Sequence, residues 1–219
     1  MSYTTGTYTI GIDIGGTKVL GGVVDEMGNL LESARRDTPR EGGTHLISTI
    51  AEVAQELLTD YQVESIGLSA AGFVSSDRKT MLATPNIAAW NGVNLESELR
   101  KFIDLPIVLE NDANAAAWGE LRFGAGQGVS NLLMVTVGTG IGGGIIVNGG
   151  LLRGATVLQL RLVICGFFQK VISAVVVREV VSNNTLQETL CFATHVKQLQ
   201  LAQILLATYS LAEMELSKV

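Results

Sequence analysis

The chain opens with short apolar runs separated by polar turns, the pattern of strands joined by tight connections. Tyr8–Asp13 (YTIGID) is apolar and β-branched, and Val19–Asp25 (VLGGVVD) repeats that character after the turn Ile14-Gly15-Gly16-Thr17-Lys18. Glu26-Met27-Gly28-Asn29 forms a second turn, and Leu30–Thr38 completes an antiparallel meander. Over Thr44–Tyr61 the period changes: Leu46, Ile50, Val53 and Leu57 recur at helical spacing, which predicts an amphipathic helix. Val63–Ala70 and Leu105–Leu109 are then strands, the second with Pro106 at its start. Asp112–Phe123 is Ala-rich and helical, with an acid near its N-terminus. Asn131–Val137 and Ile141–Val147 form a hairpin with a glycine-rich connection. A meander, then a helix, then parallel strands, predicts an α/β fold.

Composition divides the chain in two. Of its 219 residues, 47% are hydrophobic and 16% charged, which excludes global disorder. Residues 1–156 hold 24 of the 25 glycines, all three prolines and all seven aspartates. Residues 157–219 hold only Gly166, both cysteines (Cys165 and Cys191), and many Leu and Val with few turn formers. The net charge of −6 and the lack of a basic stripe argue against nucleic acid as a partner. Two cysteines make no disulfide framework. The apolar stretch Val163–Val177 covers 15 residues and is broken by Gln169 and Lys170, short of the roughly 20 that a spanning helix needs. With no secretory pattern at the N-terminus, the expectation is a cytoplasmic protein without a membrane partner.

Three segments carry candidate chemistry. Gly11–Lys18 (GIDIGGTK) is not a Walker A motif, because Gly-Thr-Lys leads into a strand rather than a helix. Its turn still offers backbone N–H groups and the Thr17 hydroxyl to an anion, and Asp13 beside it suits a phosphate-bound metal reached through water. An ordinary Gly-Gly hairpin fits the same residues. Gly138–Gly144 (GTGIGGG) contains G-x-G-x-x-G but runs into a strand, so a second phosphate-facing hairpin loop suits it better than a dinucleotide fingerprint. Glu110-Asn111-Asp112 opens a helix, where an acid serves either as a plain cap or as a general base toward a substrate hydroxyl. His45 and His195 are isolated and lack metal-ligand spacing. Trp90 and Trp118 suit a core, and Arg35-Arg36 a solvated strand end.

Taken together, DIGGTK (Asp13–Lys18), AAGFV (Ala70–Val74), Pro85-Asn86, ENDANAAAWGE (Glu110–Glu120), FGAG (Phe123–Gly126) and GTGIGGG (Gly138–Gly144) resemble the ROK family of sugar kinases and repressors, in particular its actinobacterial-type glucokinases. The resemblance covers residues 8–156. It implies an actin-like ATPase (ribonuclease H-like) fold, with a complete N-terminal domain over 1–114 and the start of a second domain over 115–156. ATP and a sugar would lie between the domains. By resemblance Gly15, Gly16, Thr17 and Lys18, with Gly138, Thr139 and Gly140, hold ATP phosphates, and Asp13 lies near Mg²⁺. Gly72, Asn86, Asn111 and Asp112 match sugar-binding positions, and Asp112 matches the catalytic base. The implied reaction is phosphorylation of glucose or a related hexose; N-acetylmannosamine is the rival sugar. Family members of this kind are homo-oligomers. About twelve residues precede Asp13, too few for the helix-turn-helix of the family's repressors.

Beyond Thr156 the resemblance stops. The family continues with a Glu and a His that bind sugar and with cysteines that bind a structural zinc, and neither follows here, so zinc is expected to be absent. Residues 157–219 fit an out-of-frame reading. If each residue takes the last two bases of one family codon and the first of the next, Ala174, Val176 and Val181 hide Cys codons. Val175, Val177 and Val180 hide Gly. Asn183–Glu188 hides Glu-Gln-Tyr-Ala-Ser-Gly, and Arg161, Val163 and Ile164 hide Glu, Gly and His. Ser182 does not hide the usual Trp. The expectation is a disrupted second domain and weak or absent activity, with a non-catalytic nucleotide-binding remnant as the alternative.

Overall fold

The computed structural model describes residues 4–39, 43–85, 87–137, 141–153 and 188–193. Its first layer is a five-stranded sheet. Strands β1 (Thr4–Ile14), β2 (Lys18–Val24) and β3 (Leu30–Asp37) form the expected antiparallel meander. Strand β4 (Tyr61–Ala70) then lies parallel to β1. The order is β3-β2-β1-β4-β8, with β8 (Ile107–Asn111) parallel to β4.

Helix α1 (Gly43–Leu57) packs over β1–β3 and buries Leu46, Ile50, Val53 and Leu57, the residues its periodicity picks out. It stops short of the expected Tyr61. The Thr59 amide already bonds back to Glu56 in a tightened turn, and Tyr61 joins β4, where its ring meets Tyr8 edge-on at 5.4 Å. Packing of partly buried Tyr61 on Tyr8 and the start of a parallel ladder outweigh one more helical turn.

Between β4 and β8 lies a small sheet that the pattern does not predict. It consists of β5 (Phe73–Val74), β6 (Thr80–Ala83) and β7 (Val93–Asn94), followed by α2 (Leu95–Leu99). Trp90, in a 3-10 turn, is fully buried, and its indole N–H reaches the Gly43 carbonyl at 3.4 Å. It is the core residue the sequence suggests.

Helix α3 (Asp112–Phe123) follows β8 directly and packs on a second sheet. That sheet has the order β11-β10-β9-β12, from β9 (Asn131–Val137), β10 (Ile141–Val147), β11 (Gly150–Leu151) and β12 (Glu188–Ala193). β9 and β10 form the expected antiparallel hairpin, and β12 runs parallel to β9. The buried apolar residues fall into two principal clusters, one drawn from Tyr8 to Leu109 and the other from Ala116 to Leu151. Trp118 belongs to the second, with the Arg122 guanidinium 5.8 Å from its ring. No helix among the described residues is long and apolar enough to cross a membrane.

Candidate active site

Asp13, Asn111 and Asp112 lie at the C-terminal ends of the parallel strands, the side of such sheets where ligands bind. Asp13 pairs with Ser69 across β1 and β4, and Ser69 pairs with Glu110 across β4 and β8. One row of the sheet therefore carries a carboxylate, a hydroxyl and a second carboxylate. The Ser69 hydroxyl donates to Asp13 Oδ1 at 3.3 Å. Asp13 is held at a pKa of about 6, first by burial and then by the negative charge of Asp112, while Ser69 and Lys18 pull it the other way. The sequence separation from Asp13 to Asp112 is thus closed in space, and both acids share one edge.

The turn after β1 is built from the expected residues. The Gly15 amide donates to the Lys18 carbonyl at 2.9 Å. Gly16 and Thr17 are exposed, and Lys18 is partly buried at the start of β2.

At the end of β8 each side chain has a distinct duty. Asn111 is the N-cap of α3: its Oδ1 accepts from the amides of Ala113 at 3.1 Å and Asn114 at 3.2 Å. Its Nδ2 donates to the Gly72 carbonyl and to Asp112 Oδ1, each at 2.9 Å. Asp112 also accepts from the Ala113 amide at 2.9 Å and stays partly exposed. The cap duty weighed for Asp112 thus falls mainly to its neighbour, though Asp112 shares it. Gly72 takes φ +149°, and a Cβ there would sit 2.4 Å from the Ala83 carbonyl oxygen. A side chain would therefore push Gly72, and the carbonyl that holds Asn111, out of place.

Glu110 is the residue whose role sequence reasoning missed. It is buried, and its Oε1 accepts from the Asn111 amide and from Asn114 Nδ2, both at 3.0 Å. Its Oε2 faces Arg153 Nε at 2.7 Å and Arg78 Nε at 3.6 Å. An acid at the end of an apolar strand is the only local signal of such a hub.

The glycine-rich hairpin divides in two. Gly142, Gly143 and Gly144 lie within β10. A Cβ on Gly144 would stand 2.4 Å from that of Ala117, so this glycine admits α3 against the sheet. Gly138, Thr139 and Gly140, and likewise Asn86, lie outside the described residues. Asn91 Oδ1 accepts from the Thr84 amide at 2.9 Å. Exposed His45 lies on the surface of α1. His195, Cys165 and, apart from residues 188–193, the tail over 157–219 read as out of frame also lie outside the described residues. Among the described residues no group of three or more His, Cys, Asp or Glu side chains is arranged to hold a metal.

A family model described as "ROK family" matches residues 9–158. A glucokinase of Streptomyces coelicolor is 44% identical over 146 residues, which cover 67% of this chain and 45% of that protein. An N-acetylmannosamine kinase of Yersinia pseudotuberculosis is 39% identical over 147 residues, covering 66% of this chain and 49% of that one. The crystal structure of a ROK family glucokinase from Streptomyces griseus, in complex with glucose and AMPPNP, superposes with a TM-score of 0.64 at 45% identity. That match covers 68% of this chain and 47% of the other. The chain spans about half the length of the curated relatives it matches. The α/β architecture is that of this group, with a complete first layer.

Proposed function

From the premise that this chain belongs to the ROK family, we propose that residues 4–153 carry the nucleotide- and sugar-facing half of an ATP-dependent hexose kinase. Glucose is the sugar of first choice, and N-acetylmannosamine is the rival. The observation that carries this reading is the convergence of Asp13, Ser69 and the Asn111–Asp112 pair at neighbouring strand ends, beside the Gly15–Lys18 turn, whose Gly16 and Thr17 are exposed.

In this reading Gly15, Gly16, Thr17 and Lys18 receive the phosphates of ATP, together with Gly138, Thr139 and Gly140. Asn111, fixed between Gly72 and Asp112, orients the sugar, with Gly72 and Asn86 beside it. Asp112 accepts the proton of the sugar 6-hydroxyl as that oxygen bonds to the γ-phosphorus and the bond to the β-phosphate oxygen breaks. Positioning and charge neutralisation supply most of the catalysis in such a transfer. Asp13 fits a magnesium ion held through phosphate oxygens and water: its carboxylate and that of Asp112 leave excess negative charge at the site. Mg²⁺ would neutralise charge on the transferred group.

The same reading divides the chain into residues 1–114, residues 115–156 and a tail over 157–219 that leaves the family, supported by the two separate cores. A frame change after residue 156 accounts for the compositional break, and sequencing the gene across codon 157 tests it. We place the protein in the cytoplasm. Its turnover is weak or absent, because residues 157–219 leave the family, whose match ends at residue 158.

A coupled assay on the full chain, with glucose and N-acetylmannosamine in parallel, tests the whole. Binding of ATP with glucose-dependent ADP release that disappears in Asp112→Ala supports the kinase. ATP binding without turnover supports the non-catalytic remnant. Absence of ATP binding overturns both, and turnover at roughly 1–100 per second overturns the expected defect.

A further inference from the structure

We propose that Thr38 is a positioning residue for the phosphate-facing turn: it ties back the turn's carbonyl oxygens so that the Gly16 amide faces outward. The proposal rests on the reading of that turn given above.

Thr38 follows the last residue of β3. Because Lys18 pairs with Asp37 in the β2–β3 ladder, Thr38 comes to lie alongside Thr17. It bonds to the turn twice. Its hydroxyl donates to the Gly15 carbonyl at 2.8 Å, and its amide donates to the Thr17 carbonyl at 3.1 Å. With the Gly15 amide donating to the Lys18 carbonyl, three of the turn's four carbonyls are held inside the protein.

Peptide planarity gives these bonds their effect. In a trans peptide the C=O and the following N–H point in opposite directions. Fixing the Gly15 carbonyl on Thr38 therefore sends the Gly16 N–H away from β3. Gly16 is exposed, and no neighbour crowds its Cα, where nothing lies within 4 Å of an added Cβ. An anion meets a donor in that direction instead of a carbonyl dipole of the wrong sign.

A clamp is needed because of the residues it acts on. The Gly15–Gly16 peptide has a glycine on each side, so its rotation meets little steric resistance. Left untied, it would sample orientations that aim the carbonyl at the phosphates, and binding would have to meet the cost of ordering it. The Thr38 hydroxyl removes that freedom in advance. Lys18 supplies charge without regard to the peptide's orientation, so loss of the clamp weakens binding without abolishing it.

The test uses the full chain, with ATP and inorganic tripolyphosphate as probes in titration calorimetry. Tripolyphosphate reports on phosphate capture without the nucleoside. Thr38→Val removes the hydroxyl at nearly constant volume, and Thr38→Ser restores it. Wild type is expected to bind both probes, Thr38→Val about tenfold more weakly, the effect of a single hydrogen bond to a charged group. Thr38→Ser should stay within about twofold of wild type for both probes. A ¹⁵N–¹H spectrum of wild type should show the Gly16 amide moving on addition of tripolyphosphate, and this reading stands even if Thr38→Val does not fold. Wild-type binding with an unmoved Gly16 amide, or equal binding by wild type and Thr38→Val, overturns the clamp. If wild type binds neither probe, the assignment of the turn itself fails, and the clamp with it.

Discussion

Arg153 Nε donates to Glu110 Oε2 at 2.7 Å, joining a residue just past β11 to the end of β8. The bond links the end of β8, whose Ile107 and Leu109 belong to the first core, to a residue two past Leu151 of the second. Glu110 also holds the Asn111 amide and the Asn114 side chain, so the same carboxylate braces the start of α3. Its side chain is only 3% exposed.

Glu110→Gln should therefore be costly. The substitution keeps the shape but leaves two guanidinium groups facing a neutral amide in a buried place. Removing one partner of a buried ionic cluster costs about 3–5 kcal/mol. Urea unfolding of wild type and variant near neutral pH measures this, and a loss below about 1 kcal/mol would reduce the cluster to a surface-like ion pair.

Asp13 gives the site a pH signature. Its pKa of about 6 in the folded chain lies above the ordinary 3.8, so the folded state binds the proton more tightly than the unfolded one. Stability is then lost as pH rises from about 4 through about 6, as the folded protein is made to ionise this group. Asp13→Asn removes the cost. Without divalent cations, the variant should melt above wild type at pH 7–8, and the gap should close as the buffer is taken down to pH 4. A gap that does not change with pH would show that Asp13 ionises normally.

Gly144→Ala tests the packing role of the glycine run. The added methyl would meet Ala117 Cβ at 2.4 Å and the Ala113 carbonyl oxygen at 2.8 Å. Separating α3 from β10 to make room should cost about 1–3 kcal/mol. Chemical denaturation measures the loss; a neutral result would mean that the helix and sheet slide apart freely.

Asn111→Ala removes the cap of α3 together with the tether to Gly72. The expected loss is about 0.5–2 kcal/mol of stability, with faster hydrogen exchange at the Asn114 amide, which donates to Asn111 Oδ1, and a smaller change at the Ala113 amide, which also donates to Asp112 Oδ1. Unchanged exchange at Asn114 would show that another group takes over.

Much of the scaffold is legible because its signals are local. Leu46, Ile50, Val53 and Leu57 mark α1 by spacing alone, and the Gly15-Gly16 turn separates β1 from β2. The small sheet is not legible, since strands of two residues such as Phe73–Val74 carry no period, and Phe73 and Leu82 are apolar yet exposed. The family resemblance marks Asp13, Asn111 and Asp112 as a set. Glu110's partners come from Arg78 and Arg153, which no local pattern joins to it. Thr38 is equally silent, because its role depends on the register of β3 against β2.

The row of Asp13, Ser69 and Glu110 also constrains the order of events during folding. Its three members come from strands separated by α1 and by the small sheet, and parallel neighbours can zip only after those long crossovers have formed. A hairpin of β1 and β2 can arise early, but it carries Asp13 alone. Any ligand that needs both carboxylate-bearing ends recognises only chains that have completed the last parallel pairing. It stabilises those chains by mass action and withdraws them from partly assembled forms.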